Sequence, residues 1–315
     1  MIALVFNLLF AATTVNLTPA GATLRIVAVG DAGASPDKVG DAIKKLHQQT
    51  PIDAILYLGD NFYECGVRST ADPQWKRVEH FSAVGVPIFA VLGNHDYGKA
   101  KDNGQVLPCK SQKPNPQAEV DATGTIKNWR MPSRSYTIEA KLATFYMTDT
   151  TPVAEGFTVS VLGGKTGGAI LEELKDALAT ASTTPWRIVA GHHIIFSSGN
   201  EHGVPCDSGC KRMRSGMLPL LESGHVDLYL SGHDHDVELI GPSNLWYLIS
   251  GAGSPPKIRA YEKRPSSEPP TLFPKNIPSS AFAGFALLEL SQHEAAVTIF
   301  GVNGAKSNRI VLATK

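Results

Sequence analysis

The sequence predicts an α/β fold of two packed sheets flanked by helices, and three observations carry that prediction. Through the first half, short runs rich in Val, Ile and Leu alternate with stretches of helical periodicity. Through the second half, strand-length apolar runs crowd together as hairpins would. Five of the apolar runs lead into a glycine followed by Asp, Asn or His: Gly30-Asp31, Gly59-Asp60, Gly93-Asn94, Gly191-His192 and Gly232-His233. Open α/β sheets bind their ligands at the carboxyl ends of strands, so the same five places also point to a site.

Residues 1–22 read as a secretory signal. The apolar stretch 2–15 is shorter than the roughly 20 residues that span a bilayer, and Ala20-Gly21-Ala22 gives a small-x-small cleavage pattern. This leader lacks Lys and Arg; the alternative is a buried N-terminal strand or helix. The expected organisation is a leader, 1–22, and one α/β domain, 23–315. No later apolar run is long enough to cross a membrane, and the expected location is secreted or periplasmic.

Residues 24–30 read as a buried strand. Ser35 is expected to cap a helix with Pro36 in its first turn and Val39, Ile43 and Leu46 on one face. Strands follow at 52–58 and 86–92, with a helical stretch at 75–81 between them. Residues 97–130 form a long polar segment, expected as a surface loop or lid. Segments 135–138 and 144–148 read as paired strands, and Ile170, Leu171, Leu174 and Leu178 mark an amphipathic helix. Strands are expected at 186–190 and 226–230, with a helix around 217–221 between them. Runs 237–240, 246–249, 285–290 and 296–300 complete a strand-rich end, interrupted by a Pro-rich excursion at 254–280.

Formal charge is zero, with 29 basic and 29 acidic residues, so no electrostatic footprint for nucleic acid or anionic membrane is present. Four cysteines allow three pairings that sequence does not choose among; two bridges are expected rather than a zinc site, with Cys65–Cys109 and Cys206–Cys210 the preferred pairing. The sequon Asn16-Leu17-Thr18 falls inside the expected leader.

The five segments supply Asp31, Asp60, Tyr63, Asn94, His95, His192, His193, His233, Asp234 and His235. Carboxylate, phenolate and amide oxygens favour hard ions, and imidazole suits iron, zinc and manganese. A dication takes about four to six such ligands, so the set is large enough for two. Taken singly, Asp31 could cap a turn and His233 and His235 could be alternating strand residues. Asp234 reads as an orienting or capping residue and His193 as a pocket-wall or surface residue. Trp129 could line a substrate mouth or belong to the core. Gly163-Gly164-Lys165-Thr166 lacks the earlier glycine of a phosphate-binding loop and reads as a turn before a helix.

The order Asp-x-Gly, Gly-Asp-x-x-Tyr, Gly-Asn-His-Asp, Val-x-x-His, Gly-His-x-His resembles the metallophosphoesterase superfamily, and Tyr63 narrows the resemblance to the purple acid phosphatases. The motifs run from Asp31 to His235, and the length is similar to the short, tartrate-resistant form. Asp149-Thr150 and Ser250-Gly251-Ala252-Gly253 also look like that group. The resemblance implies a four-layer α/β/β/α sandwich of two mixed sheets. It implies that Asp31, Tyr63 and His235 hold Fe(III), that Asn94, His192 and His233 hold Fe(II), Zn(II) or Mn(II), and that Asp60 bridges them. His95 would bind phosphoryl oxygens; Glu201-His202-Gly203 matches a second outer histidine element, so His95 and His202 are the candidate catalytic residues. In the His202 segment the spacing is one residue longer than usual, and Ile194 stands where proline is usual.

Two cations roughly 3.5–4 Å apart neutralise a phosphate ester and clamp attacking and leaving oxygens in line, and bound water falls to a pKa of about 7. The implied activity is therefore acid phosphatase: hydrolysis of phosphate monoesters by a metal-bound hydroxide without a phosphoenzyme. Expected partners are small phosphorylated substrates, phosphoproteins among them, with no nucleic acid and no membrane; oligomeric state is left open. Two rivals stand beside this reading: a phosphodiesterase or nucleoside polyphosphate hydrolase of the same superfamily, and a non-catalytic secreted binding protein.

Overall fold

The computed structural model describes residues 13–98, 114–156, 164–199, 201–254, 265–272 and 283–315. Its strands are β1 (Thr14–Leu17), β2 (Leu24–Val29), β3 (Ala54–Leu58), β4 (Ile88–Val91), β5 (Trp129–Arg130), β6 (Tyr136–Ala140), β7 (Ala143–Met147) and β8 (Trp186–Ala190), and then β9 (Leu228–Ser231), β10 (Val237–Ile240), β11 (Trp246–Ser250), β12 (Thr271–Leu272), β13 (Gly284–Leu290), β14 (Glu294–Gly301) and β15 (Ile310–Thr314). The helices are α1 (Asp37–Gln49), α2 (Glu79–Ser82), α3 (Pro116–Asp121), α4 (Thr151–Glu155), α5 (Gly167–Ala179) and α6 (Ser208–Ser223), with a 3₁₀ turn at Pro73–Val78.

Among the described residues the strands form two mixed sheets. One has the order β15-β14-β13-β2-β3-β4-β5 and the other β1-β6-β7-β8-β9-β11-β10-β12. Parallel pairs occupy both centres: β2 with β3 and β3 with β4 in the first, β7 with β8 and β8 with β9 in the second. Strands buried on both faces need apolar side chains throughout, which explains the continuous runs Ala54–Leu58 and Ile88–Val91.

Alternation along the strands assigns the layers. Ile188, Ala190, Leu228, Leu230 and Leu248 join the large core shared with the first sheet. Their neighbours Val189, Tyr229, Tyr247 and Ile249 face the other way, into a second core with Ile170, Leu174 and Leu178 of α5 and Met213, Met217 and Leu221 of α6. Val39, Ile43 and Leu46 bury one face of α1 in the large core, as their spacing predicts. Hydrogen bonds tie sheet to sheet: Ser250 Oγ donates to Ala28 O at 2.8 Å, and Tyr136 Oη to Ala90 O at 2.8 Å. The four-layer α/β/β/α expectation holds.

Several local expectations change. Pro36, not Ser35, occupies the N-cap of α1, with no side-chain cap bond; the Ser35 amide donates to Ser254 Oγ instead. Thr166 caps α5 by accepting from Ala169 N, so the Gly-Lys-Thr stretch does lead into a helix. Within the expected leader, Thr14–Leu17 pairs in parallel with β6 as an edge strand; residues 1–12 lie outside the described residues. Edge strand β15 and the two-residue β12 have no counterpart in the sequence reading. Much of the polar segment 97–130 lies outside the described residues, but its end forms α3 and β5. The Pro-rich excursion also lies largely outside them.

Cys206 and Cys210 form a disulfide, as expected. Cys65 is disulfide-bonded too; its expected partner Cys109 lies outside the described residues. No described helix is long and apolar enough to cross a membrane.

Candidate metal centre

All five glycine-led segments leave the carboxyl ends of central parallel strands. Asp31 follows β2, Asp60 and Tyr63 follow β3, and Asn94 and His95 follow β4 in one sheet; His192 follows β8, and His233 and His235 follow β9 in the other. The site therefore sits where the two sheets meet. Backbone bonds stitch the loops together: Asp31 N donates to Gly59 O at 3.0 Å, Gly30 N to Ser250 O at 2.7 Å, and Gly232 N to His192 O at 3.0 Å.

The chain turns sharply at the donors themselves. Asp31, Asp60 and His233 have φ of 59°, 52° and 71°, a left-handed conformation that few non-glycine residues adopt. Such strained backbone clusters at functional sites. Glycine is required beside it: a Cβ on Gly93 would stand 2.2 Å from Asp60 Oδ1, and one on Gly59 would strike the His192 ring.

The side chains converge. Tyr63 Oη donates to Asp31 Oδ1 at 3.0 Å and lies 3.1 Å from His235 Nε2. His192 Nε2 lies 3.1 Å from Asn94 Oδ1, 3.2 Å from His233 Nδ1 and 3.4 Å from Asp60 Oδ1. Asp31, Asp60 and His192 present ligand atoms within 4.8 Å of one another. The seven residues expected as ligands thus form one cradle, with Asp31, Tyr63 and His235 together on one side and Asn94, His192 and His233 on the other. The Asp60 side chain reaches both groups: it is hydrogen-bonded to Tyr63, and Oδ1 lies 3.4 Å from His192 Nε2.

Electrostatics test whether this cradle fits cations. Asp31 and Asp60 are fully buried, and no Lys or Arg belongs to the donor set. Burial, then the Asp60 charge, drives the Asp31 carboxyl well above the usual carboxylate range. Burial and the charges of Asp31 and Asp60 likewise hold the Tyr63 phenol up, so it becomes a phenolate only with positive charge beside it. Burial pushes His192 down to about 4 and His233 well below its ordinary value. Neutral imidazoles are the ligating form, and the clustered oxygens are those a cation would stabilise as anions. The donor set fits two cations rich in oxygen and nitrogen contacts.

His95 stays beside the cradle. Its amide donates to Asp60 Oδ1 at 2.9 Å, and its Nδ1 lies 2.8 Å from Glu64 O. The His202 ring stacks on His233 at 4.0 Å between centroids, with Nδ1 2.9 Å from Asp207 Oδ2. Burial disfavours the His202 imidazolium, but the Asp207 hydrogen bond, aided by Asp234 and Glu201, outweighs it and lifts the ring to about 9. A ring nitrogen of His202 also lies within 4.8 Å of Glu201 and Asp234 carboxylate oxygens. The two expected outer histidines therefore flank the seven donors.

His193 is a buried wall residue rather than a surface one: Nδ1 meets Thr150 Oγ1 at 3.0 Å and its ring packs on His192 and His233. Asp234 accepts from Ser197 Oγ, in keeping with an orienting role. His80, His225 and His293 are exposed and His47 half-buried, away from the cradle. Trp129 is core, not mouth. A cavity of about 710 Å³ lined by 16–22, 139–142 and Gln292 shares no residue with the cradle.

Three supporting residues escaped the sequence reading. Asp96 accepts from the amides of Asn61, Phe62 and Gly93, locking the Asp60 loop to the Asn94 loop. Glu119, fully buried in the polar segment, accepts from Asn61 Nδ2 at 2.8 Å. Asp207 holds His202. For Asp96 the signal was its place in Gly-Asn-His-Asp; for Asp207 it was a helix start just beyond.

The chain matches the calcineurin-like phosphoesterase family model over residues 24–237. It is 30% identical over 320 residues to tartrate-resistant acid phosphatase type 5 of Homo sapiens, covering 91% of this chain and 89% of that protein. It is 29% identical over 253 residues to purple acid phosphatase 3 of Arabidopsis thaliana, covering 74% of this chain but 63% of that protein, less than two thirds of its length. Among solved structures it is similar to GAP50, the anchor in the inner membrane complex of Plasmodium, with a TM-score of 0.73, 24% identity and coverage of 94% and 90%. It is also similar to purple acid phosphatase PPD1 from yellow lupin seeds, with a TM-score of 0.65, 15% identity and coverage of 93% and 54%. At these identities the two structures show the shared fold alone.

Proposed function

Because the chain belongs to the calcineurin-like phosphoesterase family, with purple and tartrate-resistant acid phosphatases as relatives, we propose that it is an acid phosphatase hydrolysing phosphate monoesters at a binuclear metal centre. The observation that carries this reading is the convergence of Asp31, Asp60, Tyr63, Asn94, His192, His233 and His235 in a buried cradle whose donor set includes no Lys or Arg. In the proposal Asp31, Tyr63 and His235 hold Fe(III), Asn94, His192 and His233 hold Fe(II), Zn(II) or Mn(II), and Asp60 lies between. Two such cations would supply charge neutralisation for the ester and an acidified water to attack phosphorus.

The chain's own residues do the rest. His95, fixed by hydrogen bonds from its backbone N–H to Asp60 Oδ1 and between its Nδ1 and Glu64 O, offers Nε2 to a phosphoryl oxygen. His202 offers a proton to the departing alkoxide, a step general acids accelerate by about 10²–10⁴-fold. Substrates are small phosphomonoesters and phosphoproteins, and secretion fits a chain whose Cys206–Cys210 pair is oxidised. A non-catalytic binding role would leave the filled set of donors unexplained.

Replacing Tyr63 with phenylalanine tests the ferric part. The variant is expected to fold and to lose the visible absorption of a phenolate–iron pair; an unchanged spectrum would remove Tyr63 from the iron. A panel of monoesters, diesters and nucleoside polyphosphates at pH 5 and 7 separates the proposal from its superfamily rival. Faster turnover of diesters or polyphosphates than of monoesters would favour the rival.

A further inference from the structure

We propose that Asp207 is the positioning residue of His202, fixing its ring against the metal cradle from the N-cap of α6. This rests on the reading of His202 as the group that protonates the leaving oxygen.

The carboxylate works in two directions at once. Its Oδ2 lies 2.9 Å from His202 Nδ1, while Oδ1 accepts from Cys210 N at 2.8 Å as the N-cap of α6. Its backbone amide donates to His202 O at 3.1 Å, closing the loop between the two residues. The Cys206–Cys210 disulfide brackets Asp207 on both sides, and α6 is anchored by buried Cys210, Met213, Met217 and Leu221. A rigid, 16-residue helix therefore dictates where Oδ2 stands.

That placement determines the ring. With Nδ1–H committed to Asp207 and one face stacked on His233 at 23°, rotation about the last side-chain bond is blocked. Nε2 is the ring nitrogen that Asp207 leaves uncommitted. A carboxylate on one ring nitrogen that sets the orientation and proton position of the other is the arrangement by which acid–base histidines are aligned. As the P–O bond breaks, the Nε2 proton would pass to the leaving oxygen and the ring would be left neutral, with Nδ1–H still held by Asp207. A simple helix cap explains only the Oδ1 contact; any Ser or Asn would serve for that.

The test uses the metal-loaded full chain and two substrates, a 2,4-dinitrophenyl phosphate whose leaving group needs no proton and an alkyl phosphate whose leaving group does. Asp207→Ser keeps a cap but is too short to reach Nδ1; Asp207→Asn keeps the cap with its single carbonyl oxygen and turns an N–H donor toward Nδ1–H. The serine variant is expected to lose roughly 10–100-fold in kcat on the alkyl ester, with KM and the dinitrophenyl rate little changed. The asparagine variant, unable to cap and to accept from Nδ1–H at once, is expected to show a similar loss, and His202→Ala the same substrate pattern. Asp207→Ser with wild-type kcat on both esters, while His202→Ala shows the pattern, overturns the positioning role alone. Equal losses on both esters also overturn it, marking a structural cap. A His202→Ala variant without the pattern overturns the reading of His202 and the proposal with it.

Discussion

Asp60→Asn is expected to strip the protein of metal and lower kcat/KM by about 10³-fold or more, equivalent to about 4 kcal/mol of lost transition-state stabilisation. Asp60 is enclosed by the loops that build the cradle. Oδ1 accepts from His95 N at 2.9 Å and lies 3.4 Å from His192 Nε2, and Oδ2 lies 3.8 Å from His95 Nε2. Gly93 is bare so that the carboxylate can fit. The amide preserves shape and volume while removing the charge and one acceptor oxygen, so the loss reports on charge and ligation rather than on packing. Metal content, turnover and a thermal melt on one preparation check it. A variant that keeps both metals and a tenth of wild-type activity would show that Asp60 does not join them.

Trp129→Ala carries the largest expected cost to stability, about 3–5 kcal/mol, the usual range for truncating a fully buried aromatic. Trp129 has no exposed surface and sits edge-on to Trp75 with centroids 5.2 Å apart, with Phe62 and Tyr57 each at 6.3 Å. Its indole donates to Glu119 O at 2.7 Å. The cluster supports the loop of the cradle from behind, because Phe62 lies between Asn61 and Tyr63. The denaturation midpoint reads the effect; a loss below about 1 kcal/mol would place Trp129 at a surface, against its burial.

The metal cradle was legible because each donor follows an apolar run that could only be a buried central strand. Asp31, Asp60, Asn94, His192 and His233 needed no knowledge of contacts, only of where strands end. The supports were not legible for a physical reason. Glu119 lies in a polar segment that pattern alone assigns to the surface, yet it is fully buried against Asn61. Asp207 looks like an ordinary cap in a loop of Gly, Ser and Cys; its second partner, His202, is set by loop closure that sequence does not encode locally. Trp129 could not be placed because an aromatic beside Pro132 and Tyr136 suits a pocket mouth and a core equally. Ser35 misled because the helix begins one residue later than a serine cap requires. Strand β1 mixes polar and apolar residues, and β15, though it carries the run Ile310-Val311-Leu312-Ala313, is a half-exposed edge at the end of the chain.

The central claim is that these seven side chains hold two metal ions, one of them iron. Elemental analysis of the purified, active protein tests it most directly. The account predicts two transition-metal ions per chain, at least one of them iron; a full complement of activity with one metal or none, or with no iron, would contradict it.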